Sequence, residues 1–248
     1  MILIGSLINI SRTNSPFDIK NLEPVKDGKR TLNEQFDNYI IIQFKKDVTF
    51  EGGNIFYLNH IIDYNRYITY IINGNQKIIQ NTKFTVKNST KLYIHFNQSF
   101  NDLTEFFNGN TDENLKNLIS ADFCYFDTSS VTTMFGMFNG CTSLRSLYLS
   151  NFNTSSVTSM AYIFEKYSSL RSLDLSNFDT SSVTRMRGMF YECSSLRYLI
   201  ISNFNFDKII KTNKDDGIEE IFKSIYLLED IDIYNIIDTR NILKNAVE

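Results

Sequence analysis

Few residues in this 248-residue chain are of the kinds that do covalent chemistry. It holds two histidines, His60 and His95, and three cysteines, Cys124, Cys141 and Cys193. Each histidine lies among apolar, strand-forming neighbours. A Cys–His dyad requires His95 beside Cys124, and neither residue lies in a nucleophile motif. No Gly-rich phosphate loop, HExxH or GxSxG is present. The residues therefore point to no catalysis and no cofactor. Asp122, Asp174 and Asp232 fall in one column of a repeat, but Tyr148 and Ile200 interrupt it. Calcium takes about six to eight oxygens at roughly 2.4 Å, so this column is not read as a metal site. What remains is recognition chemistry: Tyr148 and Tyr198, with Arg145, Arg171 and Arg197. Tyr and Arg are enriched among residues that dominate binding energy.

The elements that must position these residues are visible as an internal repeat. Leu144–Ser169 and Leu170–Ser195 align residue for residue over 26 positions, most of them identical. The phase continues outward. Leu118, Leu144, Leu170 and Leu196 are equivalent, as are Phe126, Phe152, Phe178 and Phe204. Val131, Val157 and Val183 form another column; so do Met134, Met160 and Met186, and Phe138, Phe164 and Phe190. Repeats of this length build stacked units that share one core.

Within a repeat, Leu173 and Leu175 alternate and predict a short strand with one buried face. The polar run Ser176–Ser182 reads as a turn that also N-caps a helix. Val183, Met186 and Phe190, at i, i+3 and i+7, predict about two turns of helix. The expected fold is thus an α/β solenoid: a short leucine-rich-repeat array of strand, turn and short helix, with a β-rich N-terminal cap and one parallel ladder of strands. Leu92–Phe96 reads as the strand of a first unit, with Leu103 and Phe106 in its helix and Asn108–Asp112 as an expanded turn. Towards the C-terminus the phase slips by six residues, which aligns Phe222, Leu228, Ile231 and Ile233 with Phe138, Leu144, Leu147 and Leu149. The segment Lys211–Gly217 absorbs that insertion.

The first ninety residues lack the repeat. Tyr39–Phe44, Tyr67–Ile72 and Phe84–Val86 are β-branched and aromatic, hence strand-like. Asn73-Gly74 is a hairpin-type turn. The expected divisions are an irregular segment at 1–36, a β-rich cap at 37–91, repeats at 92–228 and a C-terminal cap at 229–248.

Composition limits the partners. The net charge is −3 and no basic stripe of the kind nucleic acid demands is present. No apolar run approaches the roughly twenty residues of a membrane span. Met1–Ile10 resembles the apolar region of an export signal, without the preceding basic residues or a cleavage site, and a strand is the simpler reading. Cys141 and Cys193 occupy the same place two repeats apart, about 10 Å at a strand spacing of about 4.8 Å. A disulfide needs Cα atoms within about 7 Å, so free buried thiols are expected.

The run Leu175-Ser-Asn-Phe-Asp-Thr-Ser-Ser-Val-Thr184, followed by Met186, Met189-Phe190 and Cys193-Ser194-Ser195-Leu196, resembles the BspA-type leucine-rich repeat, the 26-residue surface-protein repeat of bacteria and some protists. The resemblance covers roughly residues 92–240. The first ninety residues resemble, loosely, the β-rich segments that precede such arrays in protist members. The resemblance implies a cell-surface or secreted protein that binds matrix proteins, glycans or host cells, without catalysis or cofactor. An intracellular scaffold for protein–protein contacts is the alternative.

Side chains that alternate with the buried leucines face outward. One outward column is Ser120, Ser146, Ser172, Tyr198 and Asp230; the next is Asp122, Tyr148, Asp174, Ile200 and Asp232. Arg145, Arg171 and Arg197 form a rail beside them, continued by Glu229. Tyr148, Asp174, Tyr198, Asp122, Arg145, Arg171 and Arg197 are the residues expected to touch a protein or glycan ligand.

Overall fold

Strand β1, Tyr39–Phe44, alternates half-buried and buried residues. The computed structural model describes residues 38–50, 68–73, 76–78, 83–88, 90–212, 221–222 and 230–232, all within the unit Phe36–Glu248. The readings of residues 1–36, His60, Gly74, Leu228, Glu229 and 233–248 lie outside the described residues.

Ile40, Ile42 and Phe44 of β1 point into the core with no exposed surface. The other N-terminal strands are β2 (Val48–Phe50), β3 (Ile68–Asn73), β4 (Gln76–Ile78) and β5 (Phe84–Val86). Next comes β6 (Leu92–Phe96), then the repeat strands β7 (Leu118–Asp122), β8 (Ser146–Tyr148), β9 (Ser172–Asp174), β10 (Tyr198–Ile200) and β11 (Asp230–Asp232). They form a six-stranded sheet in the order β4-β3-β6-β1-β7-β8, a three-stranded sheet β11-β10-β9 and the pair β2-β5.

This corrects the expected α/β solenoid. Among the described residues the structure is mostly β, and the segments 131–141, 157–167 and 183–193 that read as helical contain no helix. Among the described residues the α-helix is α1, Asp207–Thr212, beside a 3-10 turn at Leu115–Asn117. An α-helix needs each N–H bonded to the carbonyl four residues back. Here alternate N–H groups go to the next repeat instead. Those of Met134, Gly136, Phe138 and Gly140 donate to the carbonyls of Ser159, Ala161, Ile163 and Glu165 at 2.9–3.1 Å. Met160, Tyr162, Phe164 and Lys166 do the same to Arg185, Arg187, Met189 and Tyr191. Other N–H groups close four-residue turns, Met137 to Met134 and Cys141 to Phe138. Their third residue has positive φ, as in a type II turn. It is supplied by Gly136 and Gly140, then Tyr162 and Lys166, then Gly188 and Glu192. Two turns set four residues apart place apolar residues at the same intervals as a helix face, which is why the spacing of Val183, Met186 and Phe190 read as helical. All three are buried all the same.

Where no helix follows the strand, the polar run has a different task. Thr128, Thr154 and Thr180 are buried. Each hydroxyl donates to a carbonyl 25 residues ahead and accepts the N–H of the same residue. Thr154 Oγ1 lies 3.0 Å from Asp179 O and 2.8 Å from Asp179 N. Thr128 pairs likewise with Asn153, and Thr180 with Asn205. Asn151, Asn177 and Asn203 send their amides back to carbonyls of the preceding repeat, Cys124, Leu149 and Ser176. The motif is therefore an inter-repeat hydrogen-bond strip that satisfies turn backbone which would otherwise be unpaired.

Aromatic columns stack inside. Phe138, Phe164, Phe190 and Phe222 follow one another at 6.0, 5.8 and 5.6 Å with rings within 16° of parallel. The last step carries the six-residue slip, also seen where Tyr198 pairs with Asp230. The first step is longer too: Asp102 bridges Thr133, whereas Thr133 bridges Ser159. The expanded turn at 108–112 takes up the difference.

Two more expectations change. Leu92–Phe96 is a strand, but not of a first parallel unit. It pairs antiparallel with β1 and β3, and β1 inserts between it and β7. Nor is the ladder continuous, because β8 pairs with β7, and β9 with β10, but β8 and β9 do not pair. Leu147 at that break is only partly buried, while Ala121, Leu173 and Leu199 are buried.

Candidate functional site

Two of the repeat strands place the expected columns on either side of a buried leucine. In β9, Ser172 and Asp174 are exposed around buried Leu173. In β10, Tyr198 and Ile200 are half-buried around buried Leu199. Register places Asp122 beside Tyr148, and Ser120 beside Ser146, across β7 and β8. It places Ser172 beside Tyr198, and Asp174 beside Ile200, across β9 and β10. Tyr148 and Tyr198 are not brought together: they belong to different sheets, on either side of the unpaired β8–β9 step.

The arginines stand just before the strands. Arg145 N–H donates to Ile119 O at 3.0 Å, and Arg197 N–H to Arg171 O at 2.9 Å. Their backbones are thus stepped one repeat apart. The Arg145 and Arg171 side chains are exposed and Arg197 is half-buried.

Two of the acidic residues have local partners. Asp122 accepts the Cys124 N–H and Asp174 the Ser176 N–H, each at 2.9 Å. These carboxylates shape the turns that end their strands. Among the described residues no three His, Cys, Asp or Glu side chains converge on one point.

The thiols are not poised for nucleophilic attack. Burial pushes Cys141 and Cys193 up to about 12. Each donates to a carbonyl of the preceding unit, that of Phe107 at 3.1 Å and of Phe164 at 3.0 Å. All three cysteines are free. Burial also raises Cys124, which lies 3.1 Å from Ser150 Oγ. His95 stacks on Tyr39 at 4.9 Å.

The sequence reading missed part of the outward surface. Because β1 pairs directly with β7, the N-terminal strands extend the same face. Ile41 stands beside Asp122 on one side and Tyr93 on the other. Tyr39 stacks on Tyr125 at 4.6 Å with rings 11° apart. Tyr125 occupies the place held by Asn151, Asn177 and Asn203 in later repeats and is 42 % exposed. Its departure from the asparagine column is a signal legible in the sequence. The insertion of β1 is not, because it depends on pairing across long chain separations.

No helix among the described residues is long and apolar enough to cross a membrane. No curated protein and no solved structure matches the chain. One family model does match, over residues 101–227, which is just over half the chain and takes in the repeats described above. On that match the chain belongs to the family described as Mycoplasma protein of unknown function, DUF285.

Proposed function

We propose that this protein is a non-catalytic binding module that displays its outward sheet face to a protein or glycan at the cell surface. One observation carries the reading. The buried columns repeat the same residue types, whereas the outward columns differ from unit to unit, with Asp122, Tyr148, Asp174 and Ile200 at one position. Recurrence of apolar types in the buried columns is what stacking calls for, and tyrosine is enriched where partners bind. The motif at 175–196 further supports kinship, at the level of the repeat sequence, with BspA-type surface repeats.

The test is capture of matrix proteins and glycans on an array by the full chain. Tyr148→Ala/Tyr198→Ala is expected to lose most of the captured signal. Unchanged capture by that variant sinks the assignment of this face. Surface biotinylation of intact cells tests the location: labelling is expected, and strict exclusion favours the intracellular scaffold.

A further inference from the structure

We propose that the gap between β8 and β9 is a docking slot for an extended segment of a partner protein, which enters it as an additional strand. The inference rests on the binding-module reading above and narrows the partner to a polypeptide.

β8 and β9 hold equivalent places in adjacent repeats, yet they do not pair. Most Cα–Cα distances between them exceed 8 Å, whereas most between β7 and β8, or between β9 and β10, fall within it. No backbone hydrogen bond joins residues 144–149 to 170–175. Each strand therefore has one bonded edge and one open edge, and the two open edges face each other. Around the rest of the coil the same step is closed. Phe152 stacks on Phe178 at 6.0 Å, and the Thr184 N–H donates to Thr158 O at 2.9 Å. Ser168 Oγ bonds Thr142 O at 3.0 Å ahead of the strands, and Asn177 Nδ2 bonds Leu149 O at 3.0 Å after them. The opening is thus confined to the strands and fixed at both ends. Leu147 is only partly buried beside it, while Leu173 and Leu199 are buried.

Backbone chemistry selects the partner. An open strand edge offers a row of N–H and C=O groups, and such groups cost free energy wherever they are left unpaired away from water. Two such rows face each other across the slot. An extended polypeptide is the ligand whose own N–H and C=O groups alternate in the same way. A strand bonded to both edges needs them about 9.6 Å apart, two ladder steps, and the edges already stand well past the single step of about 4.8 Å. Neither strand carries the lysine or proline with which natural edges are blunted. An inserted strand turns alternate side chains inward. An apolar residue at its centre would cover Leu147, as Leu199 stands beside Leu173 in the next pair.

The test is hydrogen exchange on the full chain, alone and with a synthetic peptide of the repeat strand Leu170–Ser176, whose centre pairs with β10 in the protein. In the chain alone, the amides of β8 and β9 are expected to exchange on average at least about tenfold faster than those of β7 and β10, which are paired on both sides. Excess peptide is expected to slow them at least about tenfold. The same peptide methylated on its Leu173 amide nitrogen keeps every side chain but loses a backbone donor, and is expected to protect far less. Four results overturn the proposal: slow exchange of β8 and β9 in the chain alone, no protection by the peptide, equal protection by the methylated peptide, or protection of the outer edge β4 instead. So does a dimer, seen by sedimentation, whose formation alone protects the same amides. Failure here is separable from failure of the binding-module reading. If Tyr148→Ala/Tyr198→Ala abolishes array capture while the peptide leaves β8 and β9 unprotected, only the slot assignment falls.

Discussion

Thr154→Val removes one hydroxyl and keeps the side-chain volume, so it isolates what the threonine column contributes. Thr154 is buried, and its Oγ1 meets both the N–H and the C=O of Asp179, at 2.8 and 3.0 Å. Two hydrogen bonds at about 1 kcal/mol net each are lost. Leaving a partly buried donor unsatisfied adds about 1 kcal/mol more. The extra methyl of valine returns about 0.8 kcal/mol by burial. The expected cost is about 2 kcal/mol, which for a chain of this size lowers Tm by roughly 4–8 °C. Thr158→Val is the control. Its hydroxyl bonds Thr132 O at 3.1 Å, a carbonyl that the Thr158 N–H already satisfies at 2.8 Å. That change should cost no more than about 0.5 kcal/mol, the usual range for surface positions. Urea and thermal unfolding followed by circular dichroism measure both. If Thr154→Val costs no more than Thr158→Val, the buried threonines are not holding the repeats together and the hydrogen-bond strip is misassigned.

Two further outcomes follow from buried groups. Tyr167 takes the place of Cys141 and Cys193 in its column, and its buried hydroxyl has no hydrogen-bond partner among the described residues; Tyr167→Phe should therefore stabilise the protein by about 1 kcal/mol, and a loss of stability in thermal melts would show that the hydroxyl is satisfied. Burial raises Asp112 above its usual 3.8, outweighing the amides of Asn114 and Leu115. A raised folded value means a contribution present below 3.8 that is lost as pH rises through the folded value. Asp112→Asn should accordingly be more stable than wild type at neutral pH, with the difference closing as pH falls to 3.8. A difference that widens on acidification contradicts the assignment.

The repeat columns were legible because burial demands the same residue type wherever the backbone recurs. Leu118, Val131, Met134 and Phe138 are buried, as are their equivalents one and two units on. The helix was not legible as absent, because three- and four-residue spacing is common to a helix face and to paired turns. Gly136, Gly140 and Gly188 hinted at left-handed backbone, but Tyr162, Lys166, Glu105 and Glu192 adopt the same conformation without being glycine. Such residues are tolerated where neighbouring repeats over-determine the backbone. Gly188 shows how tightly they do so: a Cβ there would lie 2.5 Å from the Tyr162 ring.

By itself the sequence determined the period, the buried columns, the unpaired cysteines and the outward positions, all of which depend on side-chain type at fixed spacing. The tertiary structure decided what the backbone does with that spacing. It sends alternate N–H groups of residues 134–140 sideways to the next repeat, inserts β1 ahead of β7 and leaves β8 and β9 unpaired. It also brings Lys45 Nζ within 2.8 Å of Ser143 Oγ, 98 residues further along the chain. These are choices of hydrogen-bond partner between residues far apart in the chain, and no local pattern of side chains specifies them.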